Sequence, residues 1–465
     1  MSFVSLAYAL FLPTVCLLHW LTPSRWRWAV LLCASYIFYA SWNAAFSLLI
    51  FGVTACAYGT GRALEKSTGP TVRRGWLVAG LSALLGLLAY FKYYNLLGES
   101  AAAFVSALGH PMRWRVRDIV LPVGISFFTF QAISYIIDVY RGTLKAEAHF
   151  GYFALYIAFF PQLVAGPIER AGDLLPQLRA ERRLGRGDVS VGLRLLVSGY
   201  FRKLVAADIV APFVDAVYRS ASPDGSAVCM ATLLFAMQIY CDFSGYSEIA
   251  AGSARLLGVR LMRNFEQPYG AANLRDFWRR WHISLTVWFT DYVYITLGGS
   301  RRGMRRQVIA TFLVFALCGL WHGADWSFVV WGLLHACFLS LYTIQRHRVA
   351  GRFTMLAAVC FAWVFFRAND LSHALLLINR LFSQWNVPSG VALLTSATAR
   401  PISPVALLIL FLSLALTLRR LPALTEEEPP PVSDAAWVFL LLAIGAVLFI
   451  RLDSGTANTF IYFQF

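Results

Sequence analysis

The chain has 465 residues, 58% of them hydrophobic, 15% aromatic and only 14% charged, which leaves too little polar surface for the three or so water-soluble domains its length would suggest. Its 40 basic residues outnumber 24 acidic ones, giving +16, but the excess sits in short loops between apolar runs, where the positive-inside rule places it. No polar domain carries a basic stripe with stacking aromatics, so nucleic-acid binding is excluded, and an all-α polytopic integral membrane protein is implied.

A spanning helix needs about 20 mostly apolar residues. In chain order the predicted elements are Phe3 to Leu21, Trp28 to Ala40, Ala44 to Gly61, Gly75 to Phe91, Ile119 to Ile137, Tyr152 to Ala165, Ala227 to Tyr240, Val308 to Trp321, Trp326 to Tyr342, Phe353 to Phe366, Ser403 to Leu418 and Ala435 to Ile450. Phe3 to Leu21 is read as a retained span, since no positive stretch precedes it and no small-residue cleavage motif follows. Several runs are short for a crossing, and Leu193 to Val210 carries Arg194, Arg202, Lys203 and Asp208; some elements are therefore re-entrant, tilted or buried in a bundle. Pro161, Gly166 and Pro167 in F-F-P-Q-L-V-A-G-P-I-E-R break helix geometry.

Arg25 and Arg27 follow the first run, and Arg62, Lys66, Arg73 and Arg74 follow the third, so the N-terminus is placed outside. Arg419, Arg420 and the acidic, Pro-rich stretch Glu426 to Pro431 place the last loop inside and Thr459 to Phe465 outside. Arg113, Arg115 and Arg117 fall on the outer side by this count, against the rule. No internal repeat is visible. The eight cysteines (Cys16, Cys33, Cys56, Cys229, Cys241, Cys318, Cys337 and Cys360) lie in or beside apolar runs and form no C-x-x-C pair, so neither a disulfide framework nor a structural metal site is expected.

Ionisable groups at membrane depth mark functional sites or water-filled cavities. His19, His110, His149, His347 and His373 sit at interfaces or among polar neighbours and carry no such signal. His322 ends an apolar run in C-G-L-W-H-G-A-D-W, between Gly319 and Gly323 and beside Trp321; a neutral imidazole there suits a general base, the alternative being an interfacial histidine bonded to Asp325. His282 lies in R-D-F-W-R-R-W-H-I-S-L-T-V-W-F, where Trp281, Leu285, Trp288 and Tyr292 recur at helical spacing. This reads as one amphipathic helix at the cytoplasmic interface, with Asp276 and Arg280 paired four apart. Arg279 and Arg280 would meet an anionic group such as coenzyme phosphates or, alternatively, solvent and lipid headgroups. His335 is read as a satisfied core histidine. In Gln238 to Glu248, Asp242 and Glu248 need partners at that depth, and structural hydrogen bonding around Gly245 is expected rather than a carboxylate pair. The chain ends F-I-Y-F-Q-F, either an interfacial anchor or a tail presenting the Tyr462 phenol, a nucleophile that would need a base such as His322.

An ordered set of strings runs through the chain: P-V-G-I-S-F-F-T-F-Q-A-I-S-Y-I-I-D-V-Y-R-G from Pro122, F-F-P-Q-L-V-A-G-P-I-E-R from Phe159, Y-C-D-F-S-G-Y-S-E-I-A from Tyr240, N-F-E-Q-P-Y from Asn264, D-F-W-R-R-W-H-I-S-L from Asp276, D-Y-V-Y-I-T-L-G-G from Asp291, W-H-G-A-D-W from Trp321 and the terminal F-I-Y-F-Q-F. This set resembles the membrane-bound O-acyltransferase family, specifically its bacterial branch of alginate O-acetylase-like proteins. The resemblance implies one multi-span membrane domain over 1–465: a helical bundle around a transmembrane tunnel with short re-entrant and interfacial helices. Its core would lie at about 120–370, with N-terminal spans in 1–97, C-terminal spans in 403–450 and an exposed tail at 459–465.

The same resemblance implies a cytoplasmic acyl-coenzyme A donor, acetyl-coenzyme A for this branch, and no metal. It places the family's histidine on His322, its second polar histidine on His282 and an acyl-carrying phenol on Tyr462. The residues expected to contact substrate around them are Arg279, Arg280, Trp321, Asp325 and Asp242. A periplasmic acetyltransferase partner, an exported polysaccharide acceptor such as alginate, and the bacterial inner membrane follow from it too. Thr290 and Thr296 stand where relatives usually carry Arg and Pro, which counts against donor binding by that loop in the relatives' manner. Acylation of teichoic acid, peptidoglycan, lipid or protein is the alternative by the same chemistry. A secondary transporter or flippase, or a non-catalytic scaffold, is the alternative from another class.

Overall fold

The computed structural model describes residues 1–164, 166–345 and 351–386, and every regular element among them is helical. The chain divides into two compact units, Met1–Val189 with Ser253–Met262, and Ser190–Gly252 with the residues from Arg263 onward.

The first unit contains α1 (Leu6–Leu21), α2 (Arg27–Ala40), α3 (Ala44–Lys66), α4 (Pro70–Phe91), α5 (Tyr94–Ala107), α6 (Ile125–Arg141), α7 (Phe150–Ala158), α8 (Phe160–Leu163) and α9 (Ala171–Arg179). Local chemistry sets the starts: the side chains of Ser5 and Asn43 accept from the amides of Tyr8 and Ala45, and Pro70 opens α4, where its missing N–H costs nothing. α6 is the core, packed against α3 and α4 with 13 of its 17 residues buried. It begins later than the predicted Ile119, because the chain first turns through Pro122 and a left-handed Gly124 (φ 75°). The predicted run Tyr152 to Ala165 is broken before Pro161, which sits in the first turn of α8, with Phe159 (ψ 108°) separating α7 from α8.

The next elements are α10 (Arg186–Tyr200), a π-helical segment Phe201–Ala207, α11 (Asp208–Arg219) and α12 (Gly225–Leu256). α13 (Leu274–Arg280), α14 (Ile283–Phe289), a second π segment Thr290–Tyr294, α15 (Met304–His322), α16 (Trp326–Ile344), α17 (Arg352–Arg367) and α18 (Leu371–Ser383) follow. Glycines seven apart let α10 and α12 touch backbone to backbone: a β-carbon on Gly252 would lie 2.7 Å from the Gly192 carbonyl oxygen, and one on Gly245 would lie 2.8 Å from that of Gly199. Small residues at such crossings are how helices gain contact where lipid removes the hydrophobic incentive to associate. α15 and α16 form a hairpin built the same way, Gly319 lying against the Phe328 carbonyl and Gly332 against that of Phe315.

Five helices among the described residues are long and apolar enough to cross a membrane: α3, α4, α12, α15 and α16. Large apolar side chains on α3 and α4, including Leu48 and Phe51, Val78 and Leu85, face outward, as lipid-facing surfaces do. The chain is an all-α integral membrane protein. The predicted spans at 403–418 and 435–450 lie outside the described residues, as does the outward orientation of the tail.

Candidate active site

The expected single helix through Asp276 to Tyr292 is two helices. α13 ends at Arg280, and His282 then takes the left-handed conformation (φ 43°, ψ 56°) before α14 begins. Trp281, Leu285, Trp288 and Tyr292 are all buried, so the aromatic stripe is core, not an interfacial surface. A residue with a β-carbon in this region carries about 1–2 kcal/mol of strain, and such residues concentrate at functional sites. His282 is itself the N-cap: its Nδ1 accepts from the Leu285 amide at 3.3 Å. An acceptor carries no proton, so the neutral ring holds its proton on Nε2. The ring is 1% exposed, and burial pushes its pKa down to about 3. His282 is therefore a neutral imidazole whose donor N–H is on Nε2.

His322 closes α15 and is 4% exposed. Its ring meets Trp321 and Trp331 at 5.0 Å each and Phe366 at 5.2 Å, all edge-on. Trp331 stacks in turn on Trp363 at 5.8 Å, and Trp363 contacts Trp281 at 5.1 Å. These interlocked rings fix the imidazole in a buried aromatic wall of low dielectric, where electrostatic interactions are stronger than in water. The ring centroids of His282 and His322 are 6.4 Å apart, and Trp321 also contacts His282 at 5.6 Å. Residues 40 apart in sequence thus form one site.

The polar cluster of α12 is ion-paired. Lys203, 1% exposed, reaches both Asp208 and Asp242 at 2.8 Å. Arg202 pairs with Glu248 at 3.2 Å and donates to the Ser244 hydroxyl at 3.2 Å. The π winding makes the first of these contacts: the Asp208 amide donates to the Lys203 carbonyl, so residues five apart share a side, whereas α-helical neighbours are three or four apart. Phe243, next to Asp242, packs its ring 4.7 Å from that of His282, so the cluster backs the site.

The other predicted residues fall as follows. Arg280 pairs with Asp276 at 2.8 Å as expected. Arg279 is exposed and lines a cleft of about 240 Å3 with Trp278, Ile283, Thr286, Thr290 and Asp291. Asp325 caps α16, accepting from the Ser327 amide at 2.7 Å. His335 is core, against Trp278 at 4.9 Å and Trp331 at 5.1 Å, but it is not satisfied: both ring nitrogens are buried without a hydrogen-bond partner among the described residues. His347 and Tyr462 lie outside the described residues. Among those residues, no cluster of three or more His, Cys, Asp or Glu is arranged to hold a metal.

Sequence reasoning passed over Asn264. It is buried, its carboxamide oxygen accepts from the Ser284 hydroxyl at 2.6 Å and the Ser284 amide at 3.3 Å, and its carbonyl accepts from the Ile283 amide at 2.9 Å. The only local signal was its place at the head of N-F-E-Q-P-Y.

Comparison with known proteins adds a chemical frame. Residues 146–372 match the sequence pattern of MBOAT, the membrane-bound O-acyltransferase family. The chain is 35% identical to the probable alginate O-acetylase AlgI of Pseudomonas putida over 98% of both proteins. Against the protein of the same name from Azotobacter vinelandii the identity is 38%, over 80% of this chain and 76% of the relative. A Helicobacter pylori peptidoglycan O-acetyltransferase is 33% identical over 76% of this chain and 73% of its own length.

Proposed function

We propose a reaction for this chain, which belongs to the membrane-bound O-acyltransferase family and is an O-acyltransferase of the membrane: it takes an acetyl group from acetyl-coenzyme A on the cytoplasmic side and passes it outward for O-acetylation of an exported polysaccharide. The names of its relatives, which include alginate and peptidoglycan O-acetylating proteins, support that class of acceptor. The observation that carries the mechanism is the pair of buried histidines whose rings lie 6.4 Å apart, His282 with its Nδ1 committed to the Leu285 amide. His322 is the general base. It takes the proton of the attacking hydroxyl as the oxygen adds to the thioester carbonyl. The C–O bond forms, the C–S bond breaks, and the proton passes to the departing thiolate. His282 donates from Nε2 to the carbonyl oxygen as negative charge develops there, a task for which a neutral imidazole with a low pKa is suited. Arg279, exposed on its cleft, meets the phosphates of the donor, while Trp321 closes the site between the two rings.

The attacking hydroxyl is assigned to Tyr462, making the C-terminal tail an acyl carrier that hands its group to a periplasmic acetyltransferase. The protein then resides in the inner membrane with its C-terminus outward. Full-length protein is incubated with isotopically labelled acetyl-coenzyme A and its C-terminal peptide analysed by mass spectrometry, alongside His322→Ala. Label on Tyr462 that disappears in the variant is expected, since loss of a general base costs about 100- to 10,000-fold. Substantial labelling in His322→Ala at normal abundance removes His322 as the base; an unlabelled tail in a preparation that turns over the donor removes Tyr462.

A further inference from the structure

We propose that Asn264 is the positioning residue of the site: it holds His282 in its left-handed turn and thereby decides which imidazole nitrogen carries the proton. This rests on His282 acting as the neutral donor described above. The first amides of a helix have no partner within it and must be satisfied from outside. In α14 they are divided between two residues. The Ile283 amide donates to the Asn264 carbonyl at 2.9 Å and the Ser284 amide to its carboxamide oxygen at 3.3 Å, which leaves the Leu285 amide for His282 Nδ1 at 3.3 Å. The assignment of Nδ1 as acceptor, and so of Nε2 as donor, is a consequence of that division.

Asn264 is itself fixed. The Ser284 hydroxyl donates to its carboxamide oxygen at 2.6 Å, and its Nδ2 donates to the Ser247 hydroxyl of α12 at 3.4 Å. The Glu266 amide donates to the Arg280 carbonyl at 2.9 Å, securing the Asn264 segment along the end of α13. His282 and Gln267 are the two non-glycine residues with positive φ among the described residues, and both adjoin this segment. Without the carboxamide, Ser284 loses two bonds and the first turn of α14 is free to shift. The Leu285 amide then no longer commits His282 Nδ1, and the ring can turn and exchange tautomers.

The test compares Asn264→Ala, Ser284→Ala, His282→Ala and the double Asn264→Ala/His282→Ala. The full chain in detergent is assayed for thiol release from acetyl-coenzyme A, with monodispersity checked by size exclusion. The expected result is a kcat about 10- to 100-fold lower in Asn264→Ala, within the range that a misplaced catalytic group costs, with KM for acetyl-coenzyme A within about twofold. The double variant should be no slower than His282→Ala alone, because a residue acting only through His282 has nothing left to position. Losses that multiply in the double variant, or an Asn264→Ala rate equal to wild type beside a slow His282→Ala, overturn the proposal alone. A wild-type rate in His282→Ala overturns the functional reading and the proposal with it. If Asn264→Ala does not yield monodisperse protein, position 284 decides: alanine should lower kcat and threonine, which keeps the hydroxyl, should restore it, while equal rates overturn the proposal.

Discussion

Replacing Lys203 by methionine removes the one ammonium that reaches both Asp208 and Asp242 at 2.8 Å, in a position only 1% exposed. The volume is nearly conserved, so little of the effect comes from a cavity. Removing one partner of a buried ion pair costs about 3–5 kcal/mol, because the charge left behind has lost both water and its counterion. Here two carboxylates share the loss, which puts the expected cost toward the upper end. At roughly 2–4 °C per kcal/mol for a folded unit of about this size, the melting temperature falls by roughly 6–20 °C. The assay is thermal unfolding of the full chain in detergent, followed by size exclusion. A companion variant, Lys203→Met/Asp208→Asn/Asp242→Asn, replaces all three charges by neutral groups and should recover most of the loss, since removing a whole buried network is often close to neutral. A Lys203→Met melting point within 2 °C of wild type, or a triple variant less stable than the single one, refutes the reasoning.

Three further outcomes are expected. The Glu169 carboxyl, 2% exposed and accepting from the Met262 amide at 2.6 Å, is pushed up by burial to about 7; it holds its proton more tightly folded than unfolded, so its contribution is greatest below about pH 4.5 and is lost as pH rises through 7. Glu169→Gln should therefore gain about 3 kcal/mol on the wild type between pH 5 and 8, read as diverging melting curves, and a constant gap would rule this out. Arg279→Gln should raise KM for acetyl-coenzyme A roughly tenfold, the worth of one charge-assisted hydrogen bond, with kcat little changed; an unaltered KM would detach the cleft from donor binding. Because the His282 pKa is depressed to about 3, the ring stays neutral from the unfolded value near 6.5 downward until about pH 3, so the acid limb of the activity profile should sit at the same pH in His282→Asn as in wild type. A shifted limb would show that His282 titrates in the working range.

Length and apolarity carried most of the fold, and they carried it where a helix is a continuous run: α15 and α16 lie within a few residues of Val308 to Trp321 and Trp326 to Tyr342. His322 was legible for a related reason, being an ionisable residue at the end of such a run between two glycines. The turn at His282 was not. Trp281, Leu285, Trp288 and Tyr292 keep a helical period and are all buried, and a periodicity cannot register one left-handed residue between two helices that face the same core. The partner of Asp242 was hidden for another reason. The cost of burying a carboxylate says that a cation must be near, but Lys203 is 39 residues away in sequence, and the close glycine contacts between α10 and α12 that bring its segment alongside Asp242 leave no composition mark. Asn264 acts through its backbone carbonyl as much as its side chain, and the former is common to every residue.

The histidine at 282 is at once a chemical group and the stopper of the helix that follows it. A position with both duties has a narrow alphabet. It must tolerate positive φ, accept from an amide three residues on, and still offer an N–H to a substrate oxygen. Serine and aspartate cap well but bring no N–H in their side chains, and glycine tolerates the turn but brings no side chain at all. Asparagine meets all three conditions, since its short carboxamide caps helices, is the most tolerant of left-handed backbone among non-glycine residues, and carries both an acceptor and a donor. Sequence drift at this site should therefore run along a single path, between imidazole and carboxamide, and an enzyme that makes the exchange should keep its architecture.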